Sequence, residues 1–463
     1  MKTASPPRRL LLAVVAGGIV LNPLNSSTMS VAVVDIQPVF DVDFRQASLL
    51  ISVFYVTSAV GQPVMGRFAD RFGRRRLFLI GLVVAIVVSA AAPFSPSFAW
   101  LLVIRTLQAL GTSTLYPAGF GIVRETISVR QSQALSVLAM SAGIAAALGP
   151  TIGGSLVTVD WYAVFAINAP ICSAIFVVAW YVLPPDSVKS AAPVHGGRGW
   201  IEAFDVAGVV LFTVSLVSLL WFLLTIPVAP AWVTLGLGFA AGGLFVAREL
   251  RAREPIIDLP ALSANHSLIA IYVQYALVNI VFYSVVFGIP SYLQEAHGYD
   301  AVAAGVTMLP LSGMGVLILP LVARMIERVG PRRPLIAGAA FMLAGSLLLL
   351  GASDASGPGF ILLTLAVFGI ANGLNNLGLQ AALYNTARPE HMSAAAGLFQ
   401  TSRYLGTILS TSILGIAFSE TITSTELHAV ALVLAGVAVP TIVLSWRRHR
   451  PARPTVPASI ADS

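Results

Sequence analysis

Long apolar runs alternate with short polar stops along almost the whole chain. An apolar helix of about 20 residues crosses the hydrocarbon core of a bilayer. Runs bounded by charges, or by Pro and Gly turns, predict helical spans near 10–34, 46–66, 77–93, 98–121, 133–157, 163–183, 205–226, 231–248, 267–292, 303–323, 334–351, 360–384, 393–417 and 427–446. The pattern therefore predicts an all-α integral membrane protein with fourteen transmembrane helices. The first run follows MKTASPPRRL, contains Asn22, Pro23 and Asn25, and has no clear small-residue cleavage site, so it reads as an uncleaved span rather than a signal peptide.

Composition supports this picture. Of 463 residues, 57% are hydrophobic and 10% charged, whereas a soluble domain carries about 25% charged residues. A soluble enzyme is excluded first. The net charge of +7 does not point to nucleic acid, because the charges sit in short loops between spans. With the first loop taken as cytoplasmic, 24 of the 27 Lys and Arg fall on that side, Arg45 alone falls outside, and Arg105 and Arg403 lie within spans. This asymmetry places both termini in the cytoplasm of a cell inner (plasma) membrane. The single cysteine, Cys172, allows no disulfide within the chain and no thiolate metal cluster. No metal and no cofactor is expected.

The chain repeats itself. The segment Arg67-Phe68-Ala69-Asp70-Arg71-Phe72-Gly73-Arg74-Arg75-Arg76 aligns without gaps to Arg324-Met325-Ile326-Glu327-Arg328-Val329-Gly330-Pro331-Arg332-Arg333. The copies lie eight spans apart. This predicts a six-helix bundle over 1–183, a polar linker over 184–204, two inserted helices and a loop over 205–265, a second six-helix bundle over 266–446, and a tail over 447–463. Two repeated halves with a site between them form a transporter architecture.

Four motifs carry a family resemblance. Gly66-x-x-x-Asp70-Arg71-x-Gly73-Arg74-Arg75 resembles the loop signature of the major facilitator superfamily. Arg105-x-x-Gln108-Ala109-x-Gly111 resembles its span-4 motif, with Ala109 where a glycine is usual. Gly149-Pro150-x-x-Gly153-Gly154 resembles the antiporter motif, although Ala145 stands where that pattern begins with glycine. Further stretches, such as Pro290-Ser291-Tyr292-Leu293-Gln294, are similar to the 14-span drug:proton antiporters. The resemblance covers all fourteen spans. It implies a major facilitator fold, a cytoplasmic latch around Asp70, and a proton-coupling role for Arg105. It also implies export, carried by the Gly-Pro kink of span 5, as monomers in the lipid bilayer with a small molecule and protons as partners.

Polar residues inside spans should turn away from lipid. Asn22, Asn25 and Ser26 share one face of span 1. Asn372, Asn376 and Gln380 share a face of span 12, and Gln400, Arg403 and Tyr404 a face of span 13. With Gln108, Asn279 and Tyr283 they are candidates to line a substrate cavity. In one respect the chain departs from the antiporters: Asn25 stands where many of them carry an Asp. No Asp or Glu lies at the centre of a span, so the coupling candidates are Asp35, Arg105 and Glu295. Two arginines within spans equally suit uptake or exchange of an organic anion without strict proton coupling. No phosphate-binding Gly-x-x-x-x-Gly-Lys loop is present, which argues against direct ATP drive.

Overall fold

The computed structural model describes residues 8–42, 44–47, 49–127, 131–186, 206–225, 231–252, 259–299, 301–353, 356–418 and 423–447. The side chains of Asp35 and Pro150, the linker from 187 to Asp205, and the tail from 448 lie outside the described residues. Every regular element among the described residues is helical. The main helices are α1 (Arg8–Phe40), α2 (Leu49–Phe72), α3 (Arg74–Ala91), α4 (Phe98–Ser113), α5 (Leu115–Thr126), α6 (Gln131–Val157), α7 (Asn168–Val182), α8 (Val206–Thr225) and α9 (Trp232–Glu249). They continue with α10 (His266–His297), α11 (Ala301–Thr307), α12 (Leu309–Leu317), α13 (Leu319–Val329), α14 (Arg332–Leu349), α15 (Pro358–Thr386), α16 (Met392–Ala417) and α17 (Ser424–Arg447).

Among the described residues, ten helices or helix series are long and apolar enough to cross a membrane. Helices also lie over the other four predicted spans, at α6, α8, α9 and α16. The interior of α16 carries Gln400, Thr401, Ser402, Arg403, Thr407 and Ser410. Length and hydropathy alone thus do not establish fourteen crossings.

Proline sets the breaks. Pro lacks a backbone N–H and its ring crowds the preceding turn. Pro117 accompanies the break between α4 and α5 at Thr114, and Pro310 and Pro320 the breaks that divide α11, α12 and α13. Pro23 and Pro63 sit inside α1 and α2, which continue as helix. Ends are capped by ordinary means. Ser97 Oγ accepts from Trp100 N at the start of α4, and Asn265 accepts from Leu268 N at the start of α10. Gly298, at φ 66°, closes α10 in the left-handed region.

The packing follows the repeat. α1 packs on α6 as α10 packs on α16; α2 on α4 as α12 on α15; α3 on α7 as α14 on α17. The pair α8 and α9 packs on itself, and α8 also touches α2 and α16. Extensive contact also joins α2 to α16, across the two repeats.

Glycines set how closely these helices approach. A Cβ at Gly149 would run into Ser27, and one at Gly153 would stand 2.6 Å from the Thr28 carbonyl oxygen. These two residues let α6 lie against the proline-bearing part of α1, as small residues do at membrane helix contacts. Overpacking such a contact costs about 1–3 kcal/mol. Gly149→Leu is therefore expected to lower the melting temperature of detergent-purified protein. Gly305→Ala, whose Cβ would meet nothing within 4 Å, should not. A Gly149→Leu protein as stable as the parent would contradict this packing.

Candidate functional site

Asp70, near the C-terminal end of α2, is the centre of a latch at the arginine-rich end of the molecule. Its Oδ1 accepts from Arg74 Nη2 at 2.9 Å, from Arg74 Nε at 3.1 Å and from the backbone N–H of Ser393 at 3.2 Å. Oδ2 accepts from the N–H of Ala394 at 2.9 Å. Ser393 and Ala394 open α16, where backbone N–H groups have no partner within the helix and the helix dipole is positive. A carboxylate satisfies both. Arg74 reaches further: it donates to the carbonyls of Gly121 (3.1 Å) and Pro389 (2.6 Å) and meets Glu125 at 3.3 Å. The Asp70 and Arg74 side chains are only 3% and 8% exposed, so the pair is shielded from screening water.

The latch needs close backbones. A Cβ at Gly66 would stand 2.9 Å from Ala394 Cα, and one at Gly397 would stand 2.7 Å from Pro63 Cα. Gly73 has φ 107°, a conformation side chains rarely adopt. A Cβ there would also overlap the Asp186 carboxylate, which accepts from the N–H groups of Arg75 (2.8 Å) and Arg76 (3.2 Å) at the start of α3. Tyr384 of α15 closes the same end, with its hydroxyl 3.4 Å from the carbonyls of Val123 and Ile127 and the Arg124 guanidinium 4.3 Å over its ring.

The second copy of the loop matches the first in part. Gly330 also has positive φ, at 75°. Arg75 Nη2 donates to the Trp180 carbonyl at 2.5 Å, and its aligned counterpart Arg332 donates to the Trp446 carbonyl at 2.8 Å. The latch itself is not repeated. Glu327, aligned with Asp70, is exposed, and a Cβ at Gly330 would meet nothing within 4 Å.

Deeper in the molecule, three sequence candidates meet. Tyr404 O–H donates to Asn22 Oδ1 at 2.9 Å and accepts from Arg403 Nη2 at 3.0 Å. Gln62 Nε2 also donates to that hydroxyl at 3.0 Å, and Asn22 Nδ2 donates to Ser58 Oγ at 3.4 Å. Tyr55 packs near Tyr404, with ring centroids 5.8 Å apart. This polar seam joins α1 and α2 to α16. Asn22, Ser58, Gln62 and Tyr404 are buried; Arg403, Tyr55 and Tyr283 are half-buried.

Other candidates lie elsewhere. Arg105, fully buried, donates to the carbonyls of Leu50 (3.2 Å) and Asn25 (2.9 Å) and to Gln108 Oε1 (2.7 Å), over the Phe54 ring at 4.2 Å. Gln108 in turn donates to Ser89, and Asn168 donates to Asn25 Oδ1 at 2.7 Å. Asn25, Gln108 and Arg105 thus form a separate network that ties α4 to α1, α2, α3 and α7. Asn279 donates to the Tyr275 carbonyl within α10. Gln380 donates to Asn376 within α15, while Asn372 is half-buried one turn earlier. Gln400 is buried one turn before Arg403. Glu295 is exposed near the end of α10. No group of three or more metal-ligating side chains lies among the described residues.

The sequence reading missed Gln62, Ser58, Tyr55 and Asp186. An amide before Pro63 inside an apolar run was the available signal for Gln62. Nothing local marks Asp186, whose partner backbone lies over a hundred residues away.

Comparison with known proteins follows this geometry. The family model of the Major Facilitator Superfamily matches residues 15–411. An uncharacterized MFS-type transporter of Bacillus subtilis, YwoD, is 41% identical over 437 residues, covering 93% of this chain and 95% of the relative. The tetracenomycin C resistance and export protein of Streptomyces glaucescens is 32% identical, over 88% of this chain and 76% of the relative. In structure the chain is similar to the human organic anion transporter MFSD10, with a TM-score of 0.68 over 95% of this chain and 100% of the other. Identity there is 16%, so that likeness concerns the fold alone.

Asp70→Asn keeps the shape of the latch and removes its charge. It is expected to loosen the contact between α2 and α16. Cys172 is the only cysteine and is buried, so a cysteine introduced at Gln400 reports directly. Its reaction with a maleimide should be severalfold faster in the Asp70→Asn background. An unchanged rate would contradict a charge-dependent latch.

Proposed function

The chain belongs to the major facilitator superfamily, and from that premise we propose that it exports small drugs or metabolites across the cell membrane by proton antiport. The observation that carries the reading is the polar seam between α1, α2 and α16, shut at one end by Asp70 and Arg74. Such a seam suits a substrate path between two helical units that rock against each other. The relative from Streptomyces glaucescens, described as a resistance and export protein, supports the direction. So does the α1–α6 contact at Gly149 and Gly153, since these residues belong to the motif that marks exporters.

In this reading the chain crosses the membrane fourteen times with both termini in the cytoplasm. Residues 1–183 and 266–446 form the two moving bundles, 184–204 links them, 205–265 adds a peripheral pair, and 447–463 is a cytoplasmic tail. The protein works as a monomer. The arginine-rich latch is then the cytoplasmic gate, held closed in this conformation. Asp35 and Glu295 serve as the proton carriers of the outer side. Arg105 holds α1, α2 and α4 in register for the motion. A second reading, uptake or exchange without proton coupling, is favoured by one observation. Arg105 bonds to carbonyls and an amide, and among the described residues no carboxylate pairs with it.

Proteoliposomes with and without an imposed pH gradient test the proposal. Dye or drug is expected to move against its own gradient when protons drive it. Arg105→Ala should abolish this movement and Asp35→Asn should flatten its pH dependence. Downhill movement indifferent to pH in the parent protein would overturn antiport in favour of the second reading.

A further inference from the structure

We propose that Arg403 is the anion-recognising residue of the seam, and that the transported substrate is a hydroxylated aromatic anion. The inference rests on the seam being the transport site and adds the substrate's charge and chemistry. An arginine stays protonated under all ordinary conditions. Arg403 lies on α16 between two buried residues, Ser402 and Tyr404. Its bonded partner is a neutral one, the hydroxyl of Tyr404. No carboxylate among the described residues stands within ion-pair distance of it.

The surroundings extend the argument. Four buried polar atoms on α2, α5 and α16 have no partner: Arg403 Nε and Tyr116 O–H on the donor side, Gln62 Oε1 and Gln400 Oε1 on the acceptor side. Tyr116 lies within electrostatic range of Arg403. Gln62 is bonded to Tyr404 through its other atom. A buried donor or acceptor left unpaired is costly. A carboxylate or phenolate would accept from Arg403 and from Tyr116. A hydroxyl on the same ligand would donate to one of the two glutamines. The half-buried rings of Tyr55 and Tyr283, the latter also within electrostatic range of Arg403, give an aromatic body a surface to rest on.

A cationic ligand finds the opposite. It would meet a fixed positive charge with no compensating acid within ion-pair distance among the described residues. Asp70, Glu125, Asp186 and Glu390 serve the arginine-rich end, and Glu295 lies near the end of α10. The two arginines within spans therefore differ in role. Arg105 has spent its donors on the fold, whereas Arg403 keeps Nε free of any partner.

The test is binding to the full-length protein in detergent, read by fluorescence anisotropy without any gradient. The probes are fluorescein, an aromatic acid with a phenolic group, and rhodamine 123, a cation on the same ring system. The parent protein should bind fluorescein more tightly than rhodamine 123. Arg403→Gln should weaken fluorescein at least tenfold and erase the preference. Arg403→Lys should keep part of it, and Tyr116→Phe, which removes only a hydroxyl, should weaken fluorescein severalfold. Preference of the parent for rhodamine 123 would overturn the proposal, as would fluorescein binding unaffected by Arg403→Gln. Transport of rhodamine 123 but not fluorescein in proteoliposomes would also overturn it while leaving the export reading intact.

Discussion

Hydrocarbon offers no hydrogen bonds, and a polar group inside an apolar helix is costly until it finds a partner in the protein or in a ligand. That constraint organises the molecule. Hydroxyls along α1, α4 and α16 bond back to carbonyls one turn earlier, as Thr28 does to Leu24 and Ser113 to Ala109. Larger polar groups, with several donors and acceptors, are less often satisfied within one helix. They meet across helices, and so mark where helices must touch. Arg105 draws α4 onto α1 and α2 through two backbone carbonyls. Tyr404 draws α16 onto α1 and α2 through Asn22 and Gln62.

These two networks differ in what they hold together. The Arg105 network lies within the first repeat and leaves its guanidinium fully engaged. The Tyr404 network bridges the repeats through single hydrogen bonds at 2.9–3.0 Å, each a modest contribution of about 1 kcal/mol. A rigid unit and a separable seam are what the proposed motion of two helical bundles would use. The same contrast appears at the arginine-rich end. Both repeats tie a guanidinium to a tryptophan carbonyl, Arg75 to Trp180 and Arg332 to Trp446. Only the first repeat adds a buried carboxylate that reaches across to the other. A duplicated loop has thus kept its internal brace in both copies and its cross-brace in one.

Much of this was legible in sequence, for reasons that also explain the gaps. Apolar run length located the helices, and the gapless loop repeat anticipated mirrored packing that α1–α6 and α10–α16 display. Asn22, Arg403 and Tyr404 stood out because polar side chains in apolar runs are rare. The same rule brought in Asn25 and Gln108, whose side chains bond to Asn168 in the one case and to Arg105 and Ser89 in the other. Polarity says that a side chain must be partnered; it does not say by what. Asp186 was invisible because its partners are backbone N–H groups freed at the start of α3, over a hundred residues earlier in the chain. At α16 the polar side chains lower the hydropathy by which a span is counted.

The central claim is that α2 and α16 part at the arginine-rich end during turnover. Spin labels at Arg67 and Arg388, introduced as cysteines beside the buried Cys172, would report the distance across the latch in lipid nanodiscs. Pulsed electron paramagnetic resonance should then give two distance populations whose ratio changes with pH or added substrate. A single distance, unchanged across pH and substrate, would contradict the account.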